Sequence, residues 1–148
     1  MNIILNLREK LKNIKLQLNK QKFIKKSLIN KIINNDFTIQ NYLFYLNSVK
    51  INIMDINKIK YNNLSLLHLA VLYDNIECIK LLLKESNINI NVTDSKGWTC
   101  LHISTIKNNL NMFTLLLNNG ANPYIKTKKN FINLNDTKNK DCFQLAEE

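Results

Sequence analysis

Glycine is nearly absent from this chain of 148 residues, which holds two, together with one proline and one tryptophan. Two isolated glycines cannot build the loop that cradles a nucleotide phosphate. Acidic residues number 11 against 21 basic ones, and they are scattered, so no carboxylate pair for acid–base chemistry suggests itself. The cysteines Cys78, Cys100 and Cys142 are odd in number and lack disulfide or zinc spacing, as expected of free thiols in a reducing compartment. No run approaches 18 apolar residues, so no membrane span is expected. The opening MNIILNL lacks the charged n-region and long apolar stretch of a secretory signal. Little is left for an enzyme to work with.

What is present is a core and a surplus of charge. Hydrophobic residues make up 45% of the chain, enough for one domain. The net charge is +10, but 27 Asn, 20 Ile and 20 Lys share A/T-rich codons. Genome composition therefore weakens the usual link between high pI and nucleic acid.

One stretch organises the rest, Asp94–Leu117, which reads DSKGWTCLHISTIKNNLNMFTLLL. It contains a turn signal at Asp94-Ser95-Lys96-Gly97, a Thr99 cap for a first helix, and a second apolar helix. Thirty-four residues upstream, Ser65-Leu66-Leu67-His68 stands where Thr99-Cys100-Leu101-His102 stands, and Leu81–Leu83 precedes Leu115–Leu117 by the same interval. A period near 33 with a T-P-L-H-like tetrapeptide resembles the ankyrin-repeat family. The extra residue falls near Ser86. Both glycines, Gly97 and Gly120, sit where the family uses left-handed backbone. Elsewhere the chain places Asn35, Asn63, Asn108, Asn130 or Asp74 there, the residue types that best tolerate positive φ.

The resemblance implies an all-α ankyrin-repeat solenoid of about three repeats plus a partial C-terminal one. Residues 58–91 and 92–125 are its two well-formed units. Residues 27–57 read as a degenerate first repeat, with Ile32–Asp36 as the inter-helix turn, Ile39, Tyr42, Leu43 and Leu46 as the second-helix stripe, and Met54–Asn57 as the exit. A fourth repeat begins at Lys126, is interrupted by Phe131–Asn139, and resumes at Asp141–Ala146, which resembles T-P-L-H-L-A. The domain division expected is 1–26, a basic amphipathic helix, and 27–148, the ankyrin-repeat domain.

Residues 1–31 carry nine basic residues and one acid, +8 of the total charge. Ile4, Leu7, Leu11, Ile14 and Leu18 fall on one helical stripe, which is expected to be buried against the first repeat or a partner. Such a helix fits several roles: capping the solenoid, docking in a partner's groove, lying on an anionic membrane or touching nucleic acid. A mitochondrial presequence would favour Arg and Ser, whereas this stretch favours Lys and Asn. An intracellular location, cytoplasmic or mitochondrial, follows from these features.

His68 and His102 are the only histidines, and their equivalent repeat positions imply a structural tie between cap hydroxyl and turn backbone. Cys100 and His102 supply two metal ligands where three or four are needed, and nothing brings them together as a nucleophile and base. No cofactor, metal or small-molecule substrate is expected. Family geometry instead implies a concave protein-binding side. By repeat position it presents Tyr61, Asn62, Leu64, Leu72 and Tyr73, then Ser95, Lys96, Trp98, Ile106 and Lys107, then Lys128 and Lys129. Trp98 is the expected anchor there, flanked by Leu64 and Phe131 at equivalent positions.

Overall fold

The computed structural model describes residues 2–36, 56–128 and 137–147, with side chains from Arg8 onward. Helix α1 (Asn2–Ile33) has no proline or glycine to interrupt it and runs for 32 residues. The expected boundary at residue 26 therefore falls inside one continuous helix. After a short 3-10 turn (Ile56–Lys58) come β1 (Lys60–Tyr61) and β2 (Leu64–Ser65), then α2 (Leu66–Leu72) and α3 (Ile76–Leu82). Helices α4 (Cys100–Ile106) and α5 (Leu110–Asn118) repeat that pair, and α6 (Cys142–Ala146) opens another. The expected residues Ile39, Tyr42, Leu43, Leu46, Met54 and Asp55, with Lys129, Asn130 and Phe131, lie outside the described residues, as do the side chains of Ile4 and Leu7.

The helices form two layers. Helices α1, α2, α4 and α6 stack in that order, while α3 packs on α2 and α5 on α4. Six of the seven residues of α2 are buried, from Leu66 to Val71. Such helices are hydrophobic all round because both sides are covered. Burying one leucine stabilises by roughly 1.5–3 kcal/mol, so no single pair could hold alone what the stack holds together. The result is the expected all-α solenoid.

The turns explain the spacing. At the ends of α1, α2, α4 and α5 one residue takes positive φ: Asn35 (54°), Asp74 (52°), Asn108 (51°) and Gly120 (89°). Each is followed by a backbone N–H that reaches back five residues, as in Asn75 to Ala70 (2.8 Å) and Ala121 to Leu116 (3.1 Å). This is the Schellman closure, which satisfies carbonyls the helix leaves orphaned. Asn75 and Asn109 then cap α3 and α5 at once, accepting from Cys78 and Met112 N–H. Two residues thus end one helix and start the next.

A second set of bonds ties neighbouring repeats. Asn57 Oδ1 accepts from Asn89 N–H (2.8 Å), and Asn91 Oδ1 accepts from Asn122 N–H at the same distance. Lys107 Nζ donates to Leu72 O (2.8 Å) and pairs with Asp74 (2.6 Å).

Of the two alternatives expected for the N-terminal half of α1, burial against the first repeat is not what the structure has. Ile24, Leu28, Ile29 and Ile32 dock α1 on the stack, but Leu11, Ile14 and Leu18 remain exposed. The stripe extends beyond the repeat that α1 covers, so those side chains are not buried against it.

Candidate protein-binding surface

The hairpin fingers between repeats are built on backbone constraints. In the first, Asn62 and Asn63 both have positive φ (50° and 66°), and Tyr61 pairs with Leu64 across them. Such a two-residue turn twists with the strands it joins. In the second, Asp94 N–H donates to Trp98 O (2.9 Å), and Gly97, at φ 82°, returns its N–H to Asp94 O (3.2 Å). Asp94 Oδ1 also accepts from the N–H groups of Lys96 and Trp98.

The third finger copies the second with different side chains. Thr127 N–H donates to Lys140 O (3.0 Å), Asn139 N–H to Thr127 O (2.9 Å), and Asn139 has φ 61°. Lys140 thus occupies the backbone place of Trp98, and Asn139 that of Gly97. The place expected for Phe131 belongs to Lys140, because the finger closes beyond the insertion and not before it. Asp141 then caps α6 reciprocally with Gln144, as the resemblance of this stretch implied.

Both histidines are locked into the frame. His68 Nε2 lies 2.9 Å from Trp98 O, an acceptor, so Nε2 carries the proton and Nδ1 accepts from Ser65 Oγ (2.8 Å). His102 Nδ1 accepts from Thr99 N–H (3.1 Å) and lies 2.7 Å from Thr99 Oγ1. Its Nε2 is buried without an aligned acceptor, although the carbonyls of Ile125 and Lys140 lie close enough to raise its pKa. For both rings desolvation outweighs those carbonyls, and the pKa is lowered.

A pH dependence follows. Unfolded histidine titrates near 6.5, so as pH falls below that value the unfolded chain binds protons that the folded chain refuses. The contribution is present above about pH 6.5 and lost on acidification toward the lower folded pKa, at up to about 1.4 kcal/mol per pH unit for each ring. The urea midpoint is expected to fall between about pH 6.5 and 5.5. In His102→Gln the fall should be shallower, and a midpoint that rises on acidification would contradict the assignment.

The thiols are inert for the same reason. Burial pushes Cys78 and Cys142 up to about 12, and Cys100 higher still, so none supplies a thiolate near neutrality. Among the described residues no three His, Cys, Asp or Glu side chains are grouped to hold a metal.

The expected partner-contacting residues divide. Tyr61 and Tyr73 are exposed at 44% and 43%, and Asn62, Ser95 and Lys128 are exposed too. Leu64, Leu72, Lys96 and Ile106 are half-buried.

One placement is a correction. Trp98 has no exposed surface at all. It precedes the Thr99 cap on the returning arm of its finger, where alternation turns the side chain inward. There it meets His102 edge-on, with ring centroids 5.5 Å apart. His68 holds its carbonyl, so the indole cannot swing out with its backbone. Lys107 is exposed, like the other polar residues expected on this face, and its Nζ donates to Leu72 O and Asp74 of the preceding repeat. The α2 end offers it a carbonyl and a carboxylate together, in an exposed ion pair. Neither role was visible in repeat position, though a lone tryptophan next to a cap residue is a signal of packing on the helix below.

Comparisons with known proteins agree with this architecture. A family model described as ankyrin repeats, in three copies, matches residues 23–127. An ankyrin repeat protein of fowlpox virus (strain NVSL) is 32% identical over 127 residues, 77% of this chain. The chain spans about 30% of that relative's length.

Proposed function

Because this chain belongs to the ankyrin-repeat family, whose repeats generally mediate protein–protein interaction, we propose that it is a non-catalytic adaptor or subunit of a larger complex. The observation that carries this reading is a pair of exposed tyrosines on one repeat, Tyr61 on the finger and Tyr73 at the end of α2. Aromatic anchors that stay accessible while their surroundings are ordered are what interface hot spots require. Asn62, Ser95 and Lys128 supply polar rim groups, and half-buried Leu64, Leu72 and Ile106 an apolar floor. A cell interior that keeps the thiols reduced is the location proposed.

Tyr61→Ala with Tyr73→Ala should reduce partner capture from native lysate about tenfold or more, each anchor being worth about 1–2 kcal/mol. The same pair should leave the unfolding midpoint nearly unchanged. Equal capture by the double variant would remove this surface from consideration.

A second reading has its own observation. Arg8, Lys12, Lys15, Lys22 and Lys26 are exposed along one side of α1, over about 27 Å of helix. That row could touch phosphates of a nucleic acid or an anionic membrane in a larger assembly. Capture carried by phosphate contacts should collapse steeply with added salt, whereas capture through the tyrosines should not.

A further inference from the structure

Asparagine is the commonest residue of this chain, with 27 copies, and one of them is chemically unlike the rest. Asn119 stands directly before Gly120, and no other asparagine precedes a glycine. The pairing matters because a backbone nitrogen can attack the side-chain amide of the residue before it, closing a five-membered ring. A Cβ on the attacking residue crowds that approach, and glycine alone has none. Asn119 and Gly120 are both exposed, and nothing lies within 4 Å of the place where a Gly120 Cβ would stand. Water and base therefore reach the pair freely.

The fold holds the two reacting groups apart. Asn119 ends α5 with ψ at 15°, which nearly eclipses Gly120 N with the backbone nitrogen of Asn119 itself. Cβ and the amide it carries stand off to one side, away from the nitrogen that must reach them. Both groups are also occupied. Gly120 N–H donates to Leu117 O (2.9 Å), and Asn119 Nδ2 donates to Leu115 O (2.8 Å). Ala121 N–H then closes the helix by donating to Leu116 O (3.1 Å). Attack requires rotation about the Asn119 Cα–C bond, and that rotation breaks the bonds of Gly120 and Ala121 together. The last turn of α5 must open before the chemistry starts.

We propose that Asn119 is a self-modification site, masked in the folded protein by the closure of α5 and unmasked when that closure opens. In the open state Gly120 N loses its proton to base and bonds to Asn119 Cγ. The Cγ–Nδ2 bond breaks, ammonia leaves, and a cyclic imide remains. Water then adds to one of the two imide carbonyls and cleaves its bond to the ring nitrogen. Cleavage at Cγ gives aspartate, and cleavage at the backbone carbonyl gives isoaspartate. Nothing is oxidised or reduced, and water is the only co-reactant. Neither product restores the original closure. A carboxylate at position 119 has no N–H for Leu115 O, and it places negative charge at the negative end of α5. Isoaspartate also adds a methylene to the backbone before Asn122, whose N–H links this turn to Asn91. Each conversion therefore leaves a covalent mark that makes the next opening easier.

The test incubates the full chain at mildly alkaline pH, once folded in buffer and once in guanidinium chloride. Peptide mass mapping then follows conversion of amide to acid. In denaturant Asn119 should convert ahead of every other asparagine and give both products. In buffer it should convert about tenfold or more slowly, because the open turn is a minor state. Gly120→Ala should abolish the advantage of Asn119 in denaturant, a comparison that requires no folded protein. Asn119→Asp, which has the composition of one product, should unfold at a lower urea midpoint than wild type. Conversion as fast in buffer as in denaturant would overturn the masking. Preferential conversion at another asparagine of the unfolded chain would overturn the site. An Asn119→Asp variant as stable as wild type would overturn the stated consequence.

Discussion

Trp98→Ala is expected to destabilise the protein by about 3–5 kcal/mol, the scale of deleting a large aromatic side chain from a close-packed site. The indole is completely buried, edge-on to His102 and beneath the finger that carries it. Truncation would leave a void framed by groups that cannot collapse into it, since Thr99, His102 and the Trp98 carbonyl are all fixed by hydrogen bonds. For a domain of this size the loss corresponds to roughly 10 °C in Tm. It would consume much of the 5–15 kcal/mol that typical domains possess. Fluorescence of the wild type gives an independent check: emission should be blue-shifted and shielded from acrylamide, and should turn red only on unfolding. Emission like that of free tryptophan in the folded protein would refute the buried placement. Partner binding by Trp98→Ala, measured at a temperature where the variant stays folded, should be close to that of wild type.

The second large effect is expected at Gly97, and Gly120 provides its control. Both have strongly positive φ, 82° and 89°. An alanine in left-handed backbone costs about 1–2 kcal/mol at either site. At Gly120 nothing lies within 4 Å of the added Cβ, so the cost ends there. At Gly97 the same atom would meet Lys128 N and Lys128 Cγ, both at 2.8 Å. The lysine tip could move, but the backbone nitrogen is bonded to Lys96 O at 2.9 Å and can retreat only by giving up that bond. Another 1–2 kcal/mol is the expected surcharge, for a total of about 2–4. Gly97→Asn separates the two causes. Asn63 and Asn139 adopt this φ at equivalent turns, so asparagine should recover the backbone component and retain the clash. Urea unfolding of the three variants decides it. Equal costs for Gly97→Ala and Gly120→Ala would mean that the fingers do not pack this closely.

What the sequence made legible follows from which physical constraints leave a mark on residue identity. Positive φ does, and Gly97, Gly120, Asn35, Asn63, Asp74 and Asn108 all stand where their types suggested. Capping hydroxyls do as well, as Ser65 and Thr99 demonstrate. Side-chain direction leaves a weaker mark. Trp98 and Tyr61 both belong to fingers, yet one is sealed and the other exposed, because Tyr61 lies on the outgoing arm of its hairpin and Trp98 on the returning arm, next to the helix cap. Lys107 shows a third kind of case. A lysine at a helix end reads as solvent-facing until the carbonyl and carboxylate of another repeat are known to lie within reach. The closing point of the third finger was hidden for a similar reason: Thr127 and Lys140 meet through backbone groups that every residue carries.

That closing point has a practical consequence. The finger between Thr127 and Lys140 encloses twelve residues (128–139), whereas its counterpart between Asp94 and Trp98 encloses three (95–97), yet the bonds at the base of the two fingers correspond. Each doubling of loop length costs only about 0.6 kcal/mol in closure entropy, so two doublings amount to about 1.2 kcal/mol. The helices on either side never register the change, because Asn139 restores the left-handed turn before Lys140 and Asp141 resume the pattern. The finger base therefore behaves as a cassette junction, where foreign sequence can be spliced in or trimmed away without redesigning the stack. An epitope, a fluorophore-accepting tag or a randomised peptide library would be carried most safely between Lys128 and Thr137, since Thr137 is buried and its carbonyl accepts from Thr127 Oγ1, and the same junction gives evolution a place to lengthen one finger at a time.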